Sequence, residues 1–250
     1  MTTIATRTVR EIAVENPATI RVFENLGIDY CCGGGRSLSD ACARANVGLE
    51  STVEMLLEAQ QPHPTDGPRL WDGARLSVLA SYIEDAHHGY VRRESNRIFA
   101  LLARVAARHG DTHPEVLEVS SQFAALLQEL TPHMMKEEIV LFPYVTKLEA
   151  HFLDGAPLPS ACFDSVSRPI ANMLADHDDA GAVLARMREL SGGYTAPEDA
   201  CTTFRGLYQA LAEFERDLHQ HIHLENNILF PRALALENAV LKSQLALRMQ

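Results

Sequence analysis

Basic residues are scarce in this chain. Twenty-two Lys and Arg stand against 33 Asp and Glu in 250 residues, a formal charge of −11 with histidine neutral. Phosphate backbones are held by basic stripes, and none is visible, which argues against a nucleic-acid surface. Long apolar runs are also missing. Nothing approaches the roughly 20 apolar residues of a membrane span, and the opening Met1-Thr-Thr-Ile-Ala-Thr-Arg-Thr-Val-Arg10 leads into no apolar signal region. Cysteine is limited to positions 31, 32, 42, 162 and 201. An odd count with two adjacent members makes a poor disulfide framework and points to a reducing compartment. The expectation is a soluble cytoplasmic protein, without membrane or nucleic-acid partners. Hydrophobic content of 46% is enough for a sizeable core.

Strand-length alternation is rare, and helical periodicity fills the space. Residues 1–60 read as a small helical domain. Asn16-Pro17 opens a helix with proline at its first position, and Leu26-Gly27 closes it. A turn rich in glycine follows, Ile28-Asp-Tyr-Cys31-Cys32-Gly33-Gly34-Gly35. Ser37-Leu-Ser-Asp40 and Ser51-Thr-Val-Glu54 resemble capping boxes, predicting helices over about 38–46 and 52–60. Residues 61–71, with three prolines in Gln61-Pro-His-Pro-Thr-Asp-Gly-Pro68, read as a linker. Four long helical segments come next, at about 72–109, 114–150, 167–191 and 197–238. With three connections between them, an up-down-up-down four-helix bundle over 72–250 is the economical all-α architecture.

Histidine is plentiful, with 11 residues, and its placement is informative. His133-Met-Met-Lys-Glu137-Glu-Ile-Val-Leu141-Phe142-Pro143 returns 88 residues later as His221-Ile-His-Leu-Glu225-Asn-Asn-Ile-Leu229-Phe230-Pro231. A lone histidine precedes each copy, His88 by 45 residues and His177 by 44. Positions i and i+4 share a helical face. Each His-x-x-x-Glu pair therefore projects together, and inside a bundle that face is the core. A buried carboxylate without a partner is costly; metal cations remove the cost. Imidazole and carboxylate donors suit iron or manganese, whereas thiolates would indicate zinc or an iron–sulfur cluster. Four imidazoles and two carboxylates fit two ions better than one. Two ferrous ions against two glutamates leave the same residual charge as two ferric ions against two glutamates and one bridging oxide. The net charge therefore need not change with redox state, and each carboxylate can span the ion pair.

Taken singly, a His-x-x-x-Glu is a solvated helix pair, and Leu-Phe-Pro is core packing followed by a helix stop. Recurrence of both, with matched upstream histidines, favours ligation. His87 and His88 are adjacent, so one is expected to face the core, and the matched spacing favours His88. His219 and His223 are turned about 200° from His221, as surface histidines or outer donors. The acids around His177 are expected to be solvated, one of them orienting its ring. His63, His109, His113 and His151 carry no metal-site pattern. Pro132, directly before His133, predicts a kink or a restarted helix. Cys42, Cys162 and Cys201 read as ordinary buried thiols. Cys31 and Cys32, adjacent in a glycine turn, suit iron or nitrosyl transfer or thiol exchange.

Through Ile28-Asp-Tyr-Cys31-Cys32-Gly-Gly and the two His-x-x-x-Glu phrases, nearly the whole chain resembles the repair-of-iron-centres family, the iron–sulfur cluster repair di-iron proteins. The resemblance implies a hemerythrin-like bundle behind a small Cys-Cys domain. It implies a non-haem di-iron centre, oxo- or hydroxo-bridged, on His88, His133, Glu137, His177, His221 and Glu225, with Glu137 and Glu225 bridging. It also implies repair of clusters damaged by nitric oxide or oxidants, through iron donation or nitric oxide binding or reduction, in a cytoplasmic protein that is often dimeric. Damaged iron–sulfur proteins would be the partners. Pro132, the third glycine and the tail beyond Arg232 depart from the family pattern. The competing reading is an oxygen or nitric oxide carrier or sensor; the glutamates and the Cys-Cys domain weigh against it. A purely structural di-metal bundle is a third.

Overall fold

The computed structural model describes residues 2–59, 71 and 73–248. The N-terminal part holds five short helices: Thr2–Ala5 (α1), Val9–Glu15 (α2), Ile20–Leu26 (α3), Leu38–Ala45 (α4) and Leu49–Ala59 (α5). Thr8 and Glu11 form a reciprocal capping box at the start of α2. Gly27 ends α3 with φ +65°, a left-handed conformation that glycine adopts without a Cβ penalty. Ser37 caps α4 as expected. Ser51 does not cap α5, which starts two residues earlier; its hydroxyl donates to the Gly48 carbonyl instead. Val9, Ile12, Phe23, Tyr30, Leu38, Cys42 and Leu56 form a core belonging to this part alone. Of the expected 61–71 linker only Trp71 is described, and it is buried against Tyr82, with ring centroids 4.7 Å apart.

Four long rods follow. The first joins Leu76–Tyr82 (α6) to Gly89–His109 (α7) through a π-helical segment, Ile83–His88. The second joins Glu115–Lys136 (α8) to Phe142–Asp154 (α9) through a π segment, Glu137–Leu141. Ser167–Leu190 (α10) is unbroken, and Thr202–Leu224 (α11) meets Phe230–Arg248 (α12) through the π segment Glu225–Leu229. In the α8–α9 and α11–α12 rods the leucine of Leu-Phe-Pro closes the π turn and Phe-Pro opens the next helix, so the phrase does not stop the rod. Proline has no N–H for the i−4 carbonyl. Each π turn shifts the register by one residue, so that Phe142 N–H bonds to the Glu137 carbonyl and Phe230 N–H to that of Glu225. Pro132 lies inside α8, which neither ends nor restarts there. The fourth rod begins at Thr202 rather than 197 and runs past 238.

Two apolar cores fill the bundle. One gathers Ile98, Leu102, Phe123, Leu130, Leu184, Phe204, Leu211 and Phe214; the other gathers Leu79, Ile83, Phe142, Val145, Ile170, Met173, Leu229 and Phe230. Along every rod the change from one core to the other falls at the histidines and glutamates singled out above. Those residues form a polar layer between two dry halves. Burial of each large apolar side chain contributes about 1.5–3 kcal/mol to holding the layer in place.

The duplication extends beyond the recognised phrase. Glu149 and Glu237, again 88 residues apart, are both buried. Glu149 accepts from the amides of Leu76 and Ser77 at 2.6 and 3.0 Å, capping α6. Glu237 accepts from the Val166 amide at 2.9 Å and the Ser165 hydroxyl at 2.6 Å, at the start of α10. Each fills otherwise unpaired amides at a helix N-terminus with a carboxylate.

Candidate metal centre

Six side chains converge in the polar layer, each 0–2% exposed: His88, His133, Glu137, His177, His221 and Glu225. They make two four-residue groups, His88-Glu137-His221-Glu225 and His133-Glu137-His177-Glu225, whose donor atoms lie within 4.8 Å of one another. Both glutamates belong to both groups. Glu137 turns Oε2 to His88 Nε2 at 3.5 Å and Oε1 to His133 Nε2 at 3.4 Å. Glu225 turns Oε1 to His221 Nε2 at 3.1 Å and Oε2 to His177 Nε2 at 3.2 Å. The paired Nε2 atoms are equally close, 3.2 Å for His88 and His221 and 3.0 Å for His133 and His177.

All four carboxylate oxygens are buried without a hydrogen-bond partner among the described residues. Such oxygens cost several kcal/mol unless a cation or proton meets them. Converging Nε2 lone pairs and carboxylate oxygens with no donor are the donor set of a metal-binding site, so these residues fit two cations.

A family model described as the hemerythrin HHE cation binding domain matches residues 79–233. A second, described as a domain of unknown function (DUF542), matches residues 5–60. The iron–sulfur cluster repair protein YtfE of Pectobacterium atrosepticum is 35% identical over 224 residues, covering 90% of this chain and 95% of that one. YtfE of Pectobacterium carotovorum gives the same identity and coverage. YtfE of Yersinia pseudotuberculosis is 34% identical, over 89% of this chain and 94% of its own. The chain belongs to the hemerythrin-like family of iron–sulfur cluster repair proteins.

In this hemerythrin-like bundle the residue following each glutamate orients the lone histidine of the neighbouring rod. Glu138 Oε1 lies 2.7 Å from His88 Nδ1, and Asn226 Oδ1 lies 2.7 Å from His177 Nδ1. The motif phenylalanines stack on the same two rings, Phe142 on His88 at 5.8 Å and Phe230 on His177 at 6.0 Å. Such outer contacts fix which ring nitrogen is free to bind. Sequence reading gave the orienting role for His177 to a flanking acid. Asp176 instead serves His133, with Oδ2 3.0 Å from Nδ1, because it projects from α10 toward α8 while His177 turns inward. The adjacent-histidine expectation also fails. His87 and His88 are both buried, since the π turn carrying them presents a broader inward face than an α turn. His87 pairs with Asp217 at 3.1 Å and lies parallel to the His221 ring, centroids 5.8 Å apart.

Charge in the layer is strongly coupled. Burial opposes protonation of His133, yet the Glu137 carboxylate outweighs it and raises the pKa to about 9. The pKa of His88 is also raised, because Glu137 and Glu225 overcome the effect of burial. Burial pushes Glu225 up, but His221 and His177 hold it well below the carboxylate range. A divalent cation must displace the protons that this arrangement attracts.

The Cys31–Cys32 turn docks on the bundle. Cys32 Sγ lies 3.5 Å from the His177 carbonyl oxygen, and Cys31 joins the core that contains Leu184 and Ile222. The neighbouring Cys32 sulfur, and then burial, raise the Cys31 thiol well above its usual pKa. His223, expected at the surface or as an outer donor, is buried edge-on to Tyr30, centroids 5.4 Å apart, and His219 is half-buried beside the same ring. Both serve the docking contact, because the face of α11 turned away from the polar layer is the one the N-terminal helices cover. Cys42 is buried as expected, Cys201 is half-buried and Cys162 is exposed. His113 pairs with Asp199 at 3.1 Å and His109 lies 3.3 Å from Cys201 Sγ, both away from the layer.

Proposed function

We propose that this chain is a di-iron protein of iron–sulfur cluster repair, with one iron on His88 and His221, a second on His133 and His177, and Glu137 and Glu225 bridging both. The observation that carries the reading is that each carboxylate offers one oxygen to each histidine pair. Relatives aligned over nine-tenths of the chain are named as iron–sulfur cluster repair proteins, which supports the same task here. Bound there, two irons would supply one-electron redox chemistry and affinity for nitric oxide.

The chain's own residues set the conditions. Glu138, Asp176 and Asn226 keep Nδ1 of three histidines engaged, so Nε2 faces the centre. A cavity of about 130 Å³ lined by Leu126, Glu129, Leu130, Ala180, Val183 and Ile222 also touches His133 and His177, with room for a diatomic molecule. The Cys31–Cys32 pair, which lies beside His177, would take part in iron or nitrosyl transfer. The remaining parts of the proposal are a two-domain organisation of 1–60 and 72–250, a homodimer, a cytoplasmic location and damaged iron–sulfur proteins as clients. No helix among the described residues is long and apolar enough to cross a membrane.

The test is anaerobic purification, iron analysis, and incubation with an iron–sulfur enzyme inactivated by nitric oxide. About two irons per chain, with enzyme activity restored by wild type and not by Glu137→Ala, is the expected result. Zinc in place of iron would overturn the di-iron reading. A reversible oxygen adduct without restored activity would favour a carrier.

A further inference from the structure

The π segment Glu225–Leu229 performs three tasks in three consecutive residues. Glu225 supplies both oxygens to the metal layer. Asn226 orients His177. Asn227, 7% exposed, sends its Nδ2 to the Tyr30 carbonyl at 2.9 Å, bonding to a residue 197 positions earlier in the N-terminal part. The second hydrogen of that amide meets His223 Nδ1 at 2.8 Å. A further contact joins the same parts, Cys32 Sγ against the His177 carbonyl at 3.5 Å. The docked turn therefore rests on the residues that hold and orient one side of the metal layer.

The internal duplication isolates Asn227. Its counterpart 88 residues earlier is Ile139, which is 68% exposed. The matched Glu137 and Glu138 face the metal layer and His88 just as Glu225 and Asn226 face the layer and His177. The metal motif thus has no need of an amide at this position. Docking does, and Gly34 records the same demand from the other side. A Cβ there would stand 2.7 Å from the Tyr30 carbonyl oxygen and 3.4 Å from Asn227 Nδ2.

We propose that occupancy of the metal centre and docking of the Cys31–Cys32 turn are coupled through Glu225–Leu229, with Asn227 as the positioning residue. The inference rests on reading the polar layer as a metal centre. With the ions bound, both Glu225 oxygens are held and the π turn is fixed in the shape that aims Asn227 at Tyr30. With the ions removed, buried carboxylates face one another across the layer. A π turn is rare and interrupts the α register on both sides, so without the ions the segment can revert toward α geometry. Relaxation withdraws the Asn227 amide and loosens the turn carrying the thiols. The coupling is reciprocal, so loosening the turn must weaken metal binding by the same factor. For an iron donor this would expose the thiol pair as iron departs.

The test measures both sides on the full chain. Iron-loaded and metal-free protein are alkylated with iodoacetamide, and the Cys31–Cys32 peptide is quantified by mass spectrometry. Cys42, buried in the N-terminal core, is the internal reference for unfolding. Iron removal is expected to speed alkylation of Cys31–Cys32 about tenfold, within the usual range of allosteric couplings, with Cys42 unchanged. Asn227→Ala and Gly34→Ala should each give the fast rate in iron-loaded protein and lower iron retention against a chelator by a similar factor. Ile139→Ala should do neither. Equal alkylation with and without iron, in protein that binds two irons, overturns the coupling and leaves the metal reading standing. Parallel acceleration of Cys42 overturns it as well. A chain that binds no iron removes both.

Discussion

Glu138→Ala would expose the part the outer contacts play in metal retention. Among the described residues Glu138 is the only carboxylate on His88 Nδ1, at 2.7 Å, and its own side chain is 18% exposed. Burial raises its pKa, but Arg92 and His88 more than offset that and hold it ionised. The lost contact is therefore a charge-assisted hydrogen bond, of about 1.5–3 kcal/mol. Loss of an outer partner of a metal-binding histidine typically costs roughly 10–100-fold in affinity, or about 1.4–2.8 kcal/mol. The two ranges overlap. The larger end is expected here, because in this half of the site His221 Nδ1 has no partner among the described residues. No second hydrogen bond to a ring Nδ1 remains in that half among the described residues. Glu138→Gln keeps an acceptor while losing the charge, so it should fall between wild type and Ala. Iron content and release rate under chelator challenge provide the assay, with thermal melts to confirm folding. Release from Glu138→Ala within twofold of wild type would refute the reasoning, as would equal effects of Ala and Gln.

Other consequences can be measured independently. Glu137→Leu removes the carboxylate that raises the pKa of His133 and His88. Removing one partner of a buried charge pair typically costs about 3–5 kcal/mol, so the metal-free variant should melt below metal-free wild type. With iron present the gap should widen, because only wild type then gains from the ions; an equal gap in both conditions would contradict a metal-holding role. His133 has its pKa raised to about 9 in the fold. Its protonated form therefore stabilises the metal-free chain fully below the ordinary value near 6.5, and that increment is lost as pH rises toward 9. Iron binding at pH 7 should accordingly release protons, seen as a buffer-dependent heat in calorimetry, and affinity should climb with pH up to about 9. Phe123 is fully buried, with ring centroids 5.1 Å from Phe99 and 5.2 Å from Phe214. Phe123→Ala should cost about 3–5 kcal/mol in urea unfolding; a loss under 1 kcal/mol would mean that this core is less tightly packed than it is described.

Much of the architecture was legible without coordinates because helices announce themselves by period and by caps. The third rod matched its expected span closely. The fourth began later than expected, since Pro197 lies in the loop and Thr202 starts the helix after Cys201. Its continuation beyond 238 was missed because α12 lacks a clear apolar stripe to mark its length. The π segments left no sequence signal of their own, being a compromise between proline, metal residues and packing. They explain why Leu-Phe-Pro continues a helix and why His87 is buried beside His88. Glu149 and Glu237 could have been found by extending the same 88-residue comparison by a few turns. The partner of Asn227 could not, because it lies across a boundary that no local pattern spans.

The sequence by itself determined an all-helical chain, the twofold repetition, and the six residues that would meet at its centre. Those properties are periodic or repeated, so the order of residues along the chain carries them. Only the tertiary structure decided how each carboxylate divides its oxygens between two histidine pairs, and which neighbour steadies which ring. It alone seated the Cys31–Cys32 turn beside His177. Those are contacts between distant residues, fixed when the rods close over two apolar cores and bury the polar layer between them.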